Sequence, residues 1–255
     1  MIIRIDTDAA TVHVQDGSGS RAIPFSDPEA FTVVSKAWLR VGWDVKDVYR
    51  FTWLGRPVIQ LPEDLVRLQE AVFATKPDAI VETGVAHGGS LVFFASLCEL
   101  AGHGVVVGVD IEIRPHNRAA IEAHPLFPRI TLIEGDSTAA ETFERVRDAV
   151  GRAERVFVFL DSNHTKQHVL QELRLYGSLV SAGSYLVAAD SIMSDVVGAP
   201  RTQPDWDVNN PGAAVEEFLA EENRFVREEP PRLFDESHVE GSVSYWPGGW
   251  LRRIR

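Results

Sequence analysis

Five acidic residues recur at intervals of roughly 25 residues along the middle of the chain: Glu82, Asp110, Asp136, Asp161 and Asp190. Each closes a short apolar run, in order AIVE, GVVVGVD, ITLIEGD, RVFVFLD and SYLVAAD. An Asp in such a place also suits the start of the helix that follows, by capping it and complementing its dipole. That reading serves any one of the five. Five on one rim point instead to a ligand whose ammonium, hydroxyls or metal the carboxylates would bind. Between the first acid and the second run lies Gly84-Val85-Ala86-His87-Gly88-Gly89-Ser90, a turn whose glycines let backbone approach a ligand closely. No Gly-Lys-Ser/Thr follows, which argues against a triphosphate, and the spacing departs from the dinucleotide pattern GxGxxG. Asp110 stands where a ribose-binding acid belongs in a strand–helix architecture. Together, Glu82, Gly84, Gly88, Ser90, Asp110, Asp136 and Ser137 suit a nucleoside with a charged amino-acid arm, with Asp136 and Ser137 at the adenine edge. S-adenosylmethionine has that shape.

Two further acids address a different chemistry. Asp161 and Asp190, at the ends of neighbouring strands, can hold Mg²⁺ through oxygen and leave positions for a substrate diol. His164, three residues past Asp161, has the near-neutral imidazole expected of a general base; the plainer role is to cap the helix starting near Thr165. Trp53, Arg56 and Gln60 in FTWLGRPVIQLP, and Trp206 in the Pro- and Asn-rich stretch 200–212, are candidates to wall an acceptor, although Trp53 reads equally well as core. Aromatic faces and hydrogen-bonding side chains suit a carbohydrate. The stretch 194–212 reads as a lid, His168 as structural and Cys98 as core.

The elements that must position these residues follow from periodicity. The first 25 residues read as a hairpin and 28–50 as an irregular helix. From residue 63 the pattern is regular: helices at 63–75, 90–101, 115–124, 139–150 and 165–177 alternate with strands at 79–82, 104–110, 130–136, 155–161 and 184–190. The strands are apolar without strict alternation, so both faces are buried. This predicts an α/β fold, a parallel sheet with helices on both faces, followed by a helix at 211–223 and an antiparallel C-terminal strand pair at 224–234 and 243–254. The expected division is 1–62, a hairpin and helical extension, and 63–255, the ligand-binding domain.

Lys and Arg number 25 against 37 Asp and Glu, a formal charge of −12. Such a chain is a poor candidate for nucleic acid or an anionic membrane. Its single cysteine excludes a disulfide framework, no apolar run is long enough to span a bilayer, and the first residues lack a signal pattern. A cytoplasmic protein is expected. The apolar-aromatic N-terminal region predicts packing on its own sheet or a homo-oligomer.

The segments FTWLGRPVIQLPEDL, VETGVAHGGSLVFFAS, VVGVDIEIRPHNRAAIEAHP, ITLIEGDST and FLDSNHTKQHVLQEL closely resemble the cephalosporin hydroxylase-like family, which is related to rhamnosyl and macrolide-sugar O-methyltransferases. The resemblance runs from about residue 50 to 220. It implies a class I methyltransferase (Rossmann-like) fold, S-adenosylmethionine as donor, and often a divalent metal near the acceptor. By resemblance, Asp161 and Asp190 map onto metal ligands. Relatives commonly carry adjacent carboxylates at the second strand end, whereas Ala189 and Ser191 flank Asp190 here, leaving Asp195 or the Asn163/His164 pair to complete the set. The implied function is O-methylation, with Mg²⁺, of a deoxysugar or glycoside hydroxyl in natural-product (antibiotic) biosynthesis, the acceptor being a glycoside or nucleotide-sugar. The alternatives are a non-sugar hydroxyl as acceptor and a non-catalytic partner subunit that binds S-adenosylmethionine.

Overall fold

A computed structural model describes residues 1–239 and 241–255. The chain opens with three strands, β1 (Ile2–Asp6), β2 (Thr11–Asp16) and β3 (Gly19–Pro24), in an antiparallel sheet of order β1-β2-β3. The predicted hairpin is therefore a three-stranded meander. Its third strand escaped notice because Ile23 is the one residue of GSRAIP that is buried. Val12, Val14 and Ile23 pack under helix α1 (Pro28–Val45), which Asp27 caps by accepting from the Glu29 amide. The irregularity expected over 28–50 is a break at Lys46, whose left-handed backbone ends α1 before a 3₁₀ turn at Asp47–Arg50.

The connector that follows is expected to be loop. It contains a tight hairpin, β4 (Thr52–Trp53) and β5 (Arg56–Pro57), closed over Leu54-Gly55, both at positive φ. Next come α2 (Pro62–Thr75), β6 (Ala79–Thr83), α3 (Gly89–Ala101), β7 (Val105–Asp110), α4 (Pro115–Glu122), β8 (Ile130–Glu134), α5 (Ala140–Val150), β9 (Val156–Leu160), α6 (Lys166–Tyr176), β10 (Tyr185–Ala188), α7 (Pro211–Glu221), β11 (Phe225–Arg227) and β12 (Trp250–Arg253). The strands form one seven-stranded sheet of order β11-β12-β10-β9-β6-β7-β8. The five strands read from the sequence are parallel, and β12 runs antiparallel between β10 and β11. That last pair is shorter than expected, three and four residues rather than eleven and twelve.

Burial on both sheet faces explains the unbroken apolar strands. In β9, Phe157 and Phe159 enter the core under α2 and α3, while Val156, Val158 and Leu160 enter the core under α5, α6 and α7. Phe159 is fully buried and packs against Phe94 and Trp246, so that one side chain contributes roughly 2–3 kcal/mol of apolar burial. Cys98 is core, as read. Among the described residues no helix is long and apolar enough to cross a membrane.

Candidate active site

Strand order reverses between β6 and β9: the chain runs outward from β6 through β7 to β8, then returns to β9 on the other side. The two strands stay paired to their ends, Thr83 opposite Leu160, and a crevice opens beyond their carboxyl ends, where the connections that leave them part. Gly84 closes β6 in that crevice, with φ +93°. A Cβ on Gly84 would stand 2.0 Å from the carbonyl oxygen of Asp161. No other residue type fits, which is how the glycine turn and the Asp161 loop are brought side by side.

The turn is held from three directions. Asp110 accepts from the amides of Val85 (2.8 Å) and Ala86 (3.1 Å). Arg56 donates to the carbonyl of His87 (3.0 Å) and to Asn117 Oδ1 (3.2 Å). Gly89 lies so close to the Pro57 backbone that a Cβ would come within 2.1 Å of its carbonyl oxygen. The β4–β5 hairpin thus supports the turn. Trp53 packs edge-on against Phe93 and donates its indole N–H to Ser96 Oγ at 3.1 Å. Trp53 and Arg56 are therefore engaged by the protein itself, and neither lines a cavity at the site. This departs from the acceptor-wall role expected of them, because the hairpin folds them inward against α3 and the turn.

A cavity of about 670 Å³ occupies the crevice, lined by Gly84, Asp110, Asp136, Ser137, Asp161 and His164 among others. Asp136 accepts from the Thr138 amide and hydroxyl through Oδ1, which holds its carboxyl below the usual range. Glu82, Gly88 and Ser90 are not among its walls. Glu82 is fully buried, takes the Ser90 hydroxyl on Oε1 and leaves Oε2 without a partner. Burial pushes its carboxyl up to about 8. Glu82 and Ser90 thus act from beneath the turn, since β6 is central and the side chain of its fourth residue points into the molecule.

At the far end of the cavity three side chains converge. Asp161, His164 and Asp190 each offer one ligand atom, and these atoms all lie within 4.8 Å of one another. His164 Nε2 is 3.4 Å from Asp190 Oδ2. Gln60, 5% exposed, donates to Asp161 Oδ2 at 2.7 Å, so the structure places it behind the carboxylate. Desolvation and the negative charge of Asp190 push the Asp161 carboxyl well above its ordinary range, against the Gln60 hydrogen bond. Two repelling carboxylates and an imidazole form a donor set that a divalent cation would relieve. Asp195 is exposed and is not part of the cluster.

Asp190, itself at φ +58°, also lines a second, smaller crevice with Trp43, Lys46, Tyr49, Arg201 and Tyr245. Here the end of α1 meets the segment after β10. Trp43 donates to the Pro200 carbonyl at 3.1 Å and meets Trp206 edge-to-face with centroids 5.8 Å apart. The two cavities share no lining residue, and the three-residue cluster stands between them.

Two features were not evident from residue types. His168, on the first turns of α6, lies 3.0 Å from Ser137 Oγ, 3.2 Å from Ser162 Oγ and 3.5 Å from the fully buried Glu172. Glu172 raises the His168 pKa and accepts from Ser162. The i, i+4 spacing of His168 and Glu172 was the available signal. Asp64, 1% exposed, accepts from the Tyr245 amide at 2.9 Å, and burial pushes it up to about 8. At the start of a helix it looks like an ordinary first-turn acid.

Comparison with known proteins bears on the fold and the family. Two CmcI structures, an apo form and one described as holding Mg and SAM, superpose with a TM-score of 0.54 at 20% identity. The match covers 81% and 82% of this chain and 77% and 78% of theirs. They share the class I methyltransferase fold. Rhamnosyl O-methyltransferase of Mycobacterium leprae (strain TN) is 33% identical over 152 residues, 59% of this chain and 64% of that protein. The protein of the same name from Mycobacterium tuberculosis (strain H37Rv) is 30% identical over 143 residues, 55% and 56% of the two chains. The chain thus spans less than two-thirds of the length of these curated relatives. The family model described as rhamnosyl O-methyltransferase/CmcI matches residues 45–254, from the end of α1 to the last strand. That is most of the molecule, and the chain belongs to the rhamnosyl O-methyltransferase/CmcI family.

Proposed function

We propose that this protein transfers the methyl group of S-adenosylmethionine to a hydroxyl of a sugar or glycoside. One observation carries the reading: the Asp161–His164–Asp190 cluster stands between a cavity of nucleoside size and a second crevice walled by aromatic side chains. The family relatives named rhamnosyl O-methyltransferase support the choice of a sugar, and the CmcI structure described as holding Mg and SAM supports the donor and the metal.

Methyl transfer from a sulfonium is an in-line displacement, so donor and acceptor must be aligned, a contribution of several kcal/mol. In this reading the glycine turn and Asp110 fix the donor, with Asp136 and Ser137 at its base. Asp161, steadied by Gln60, and Asp190 are the residues that would hold Mg²⁺. The metal supplies Lewis acidity that makes an acceptor hydroxyl easier to ionise. His164 takes the hydroxyl proton at Nε2, which faces Asp190 Oδ2 at 3.4 Å. The confinement of the three groups within 4.8 Å favours one rival role for His164, that of third metal ligand.

The test is methyl transfer from labelled donor to rhamnosides, with and without Mg²⁺ and chelator. Asp161→Asn and Asp190→Asn are each expected to raise the metal concentration required. His164→Ala is expected to cut the rate by ~10²–10⁴ while leaving metal affinity intact; a loss of metal affinity instead assigns His164 as a ligand. A wild-type rate indifferent to chelation removes the metal from the scheme.

We also propose that residues 63–255 are the methyltransferase domain, with the 1–62 extension bracing its site through Arg56 and Gln60, that the reaction belongs to natural-product biosynthesis, and that the protein self-associates. Helix α1 supports self-association. Phe31, Trp38, Val41 and Val45 are all well exposed on it, and with Val34 they follow heptad spacing.

A further inference from the structure

Granted the methyltransferase reading, we propose that the crevice beside Asp190 binds an anionic group of the acceptor, with Lys46 and Arg201 as the residues that recognise it. The acceptor is then a sugar carrying a phosphate or carboxylate, and its neutral counterpart is the poorer substrate.

Four observations bear on this. The first is charge. The donor cavity is rimmed by Asp110, Asp136 and Asp161 in a chain of formal charge −12, so an anion is repelled from most of the site. Lys46 and Arg201 are the only cationic side chains lining the second crevice, and Asp190 is its only acid.

The second is availability. The acids nearest Lys46 in sequence are paired elsewhere, Asp44 with Arg40 and Asp47 with Arg50. The Lys46 ammonium lies instead over the Tyr49 ring, 5.1 Å from its centroid, a contact that positions a cation without neutralising it. Arg201 donates one Nη2 hydrogen bond to the Trp43 carbonyl. Among the described residues that is the one hydrogen bond of its guanidinium, whose planar fork suits an oxyanion.

The third is backbone conformation. Seven non-glycine residues have positive φ among those described, and Lys46, Asp190 and Arg201 are three of them. At Lys46 the left-handed backbone is the cap that ends α1; at Asp190 and Arg201 no helix C-terminus calls for it, and such backbone recurs where side chains are aimed at ligands. All three line one crevice.

The fourth is shape. The enclosed volume is only about 60 Å³, too small to engulf a sugar ring. The crevice takes one edge of the acceptor, its walls Trp43 and Tyr245 offering apolar surface between the acid and the cations. An acceptor hydroxyl at Asp190 and an anion at Lys46 and Arg201 then define the two ends of that edge.

Part of this recognition comes from outside the family's common body. The family model begins at residue 45, and Trp43, which braces Arg201, precedes it.

The test compares three probes: methyl α-L-rhamnoside, carboxymethyl α-L-rhamnoside and L-rhamnose 1-phosphate. Each is titrated against the full-length protein with Mg²⁺ and S-adenosylhomocysteine, reading tryptophan fluorescence from Trp43 and Trp206. At least one anionic probe is expected to bind tenfold or more tightly than the neutral one, the scale of a charge-assisted contact. The carboxylate and phosphate arms tell which anion is preferred. In a Lys46→Gln/Arg201→Gln double variant the ratio of anionic to neutral probe affinity should collapse to within about threefold. Lys46→Arg/Arg201→Lys should keep most of it, which guards against simple misfolding. Equal binding of all three probes, binding of none, or a preference that survives the double Gln variant overturns the assignment. Methyl transfer to the same probes is measured separately. Transfer without charge preference refutes the crevice role alone, whereas a charge preference with no transfer to any acceptor refutes the methyltransferase reading.

Discussion

Glu82 shows how one residue can be necessary to a site it does not touch. Its carboxyl is buried under the turn, bonded to Ser90 on one oxygen and to nothing on the other. Burial raises its pKa from an ordinary 4.5 to about 8. Between those values the folded protein holds a proton that the unfolded chain has lost, so stability falls as pH rises across that window. Below pH 4.5 the contribution is fully present; above pH 8 it is gone. Glu82→Gln keeps the shape and removes the ionisation. The variant's melting temperature, relative to wild type, is expected to climb between pH 5 and pH 8.5, at roughly 2–4 °C per kcal/mol relieved. A wild-type-minus-variant difference that stays flat over this range would show that Glu82 is solvated through local opening.

At the scale of elements, the site depends on where two strand ends come to lie. Gly84→Ala tests this directly. Its Cβ would meet the Asp161 carbonyl at 2.0 Å, on a backbone at φ +93°. The conformational strain alone is about 1–3 kcal/mol, and the clash must displace either the turn or the Asp161 loop. Chemical denaturation should register that loss, and calorimetry should find S-adenosylmethionine binding weakened beyond tenfold in whatever fraction stays folded. The parallel strands and their helices were legible because burial on both faces writes itself as runs of Val, Ile and Phe. The acids at the strand ends were legible for the same reason: the end of each run marks the rim. The sequence was silent where packing depends on long-range partners. Nothing in FTWLGRPVIQLP says that Trp53 turns towards Ser96, that Arg56 binds the His87 carbonyl, or that Gln60 reaches Asp161. All three have the residue types of a sugar-binding wall and are occupied inside the protein. The third strand of the opening sheet was hidden because Gly19–Pro24 carries only one buried apolar side chain.

At the scale of the whole molecule, one apolar stripe left open to solvent runs along α1. Phe31, Trp38, Val41 and Val45 are 44–68% exposed, while Ala30 and Gly42, which flank the stripe, and Leu39 are buried. The stripe matches itself in reverse, because Phe31 and Val45 each lie seven residues from Trp38. A two-fold related copy therefore meets like with like. With 44–68% of each side chain exposed, pairing gains about half of the usual 1.5–3 kcal/mol for each. That sum stands against an association cost of several kcal/mol. The expected result is a concentration-dependent dimer by light scattering, and a 28.3 kDa monomer for Trp38→Glu at every concentration. A wild-type protein that stays monomeric at high concentration removes the stripe from consideration.

The separation of the two cavities has a kinetic consequence. One opens on the glycine turn and the other on the end of α1, with no residue in common, so on the methyltransferase reading proposed above neither substrate would have to pass through the space the other fills. A buried site with one entrance imposes a sequence of arrivals and departures. Here the geometry imposes none: the spent donor can leave and a fresh one enter while an acceptor stays seated. An acceptor with more than one free hydroxyl would then be open to repeated modification in a single encounter, limited by how it can turn in the crevice.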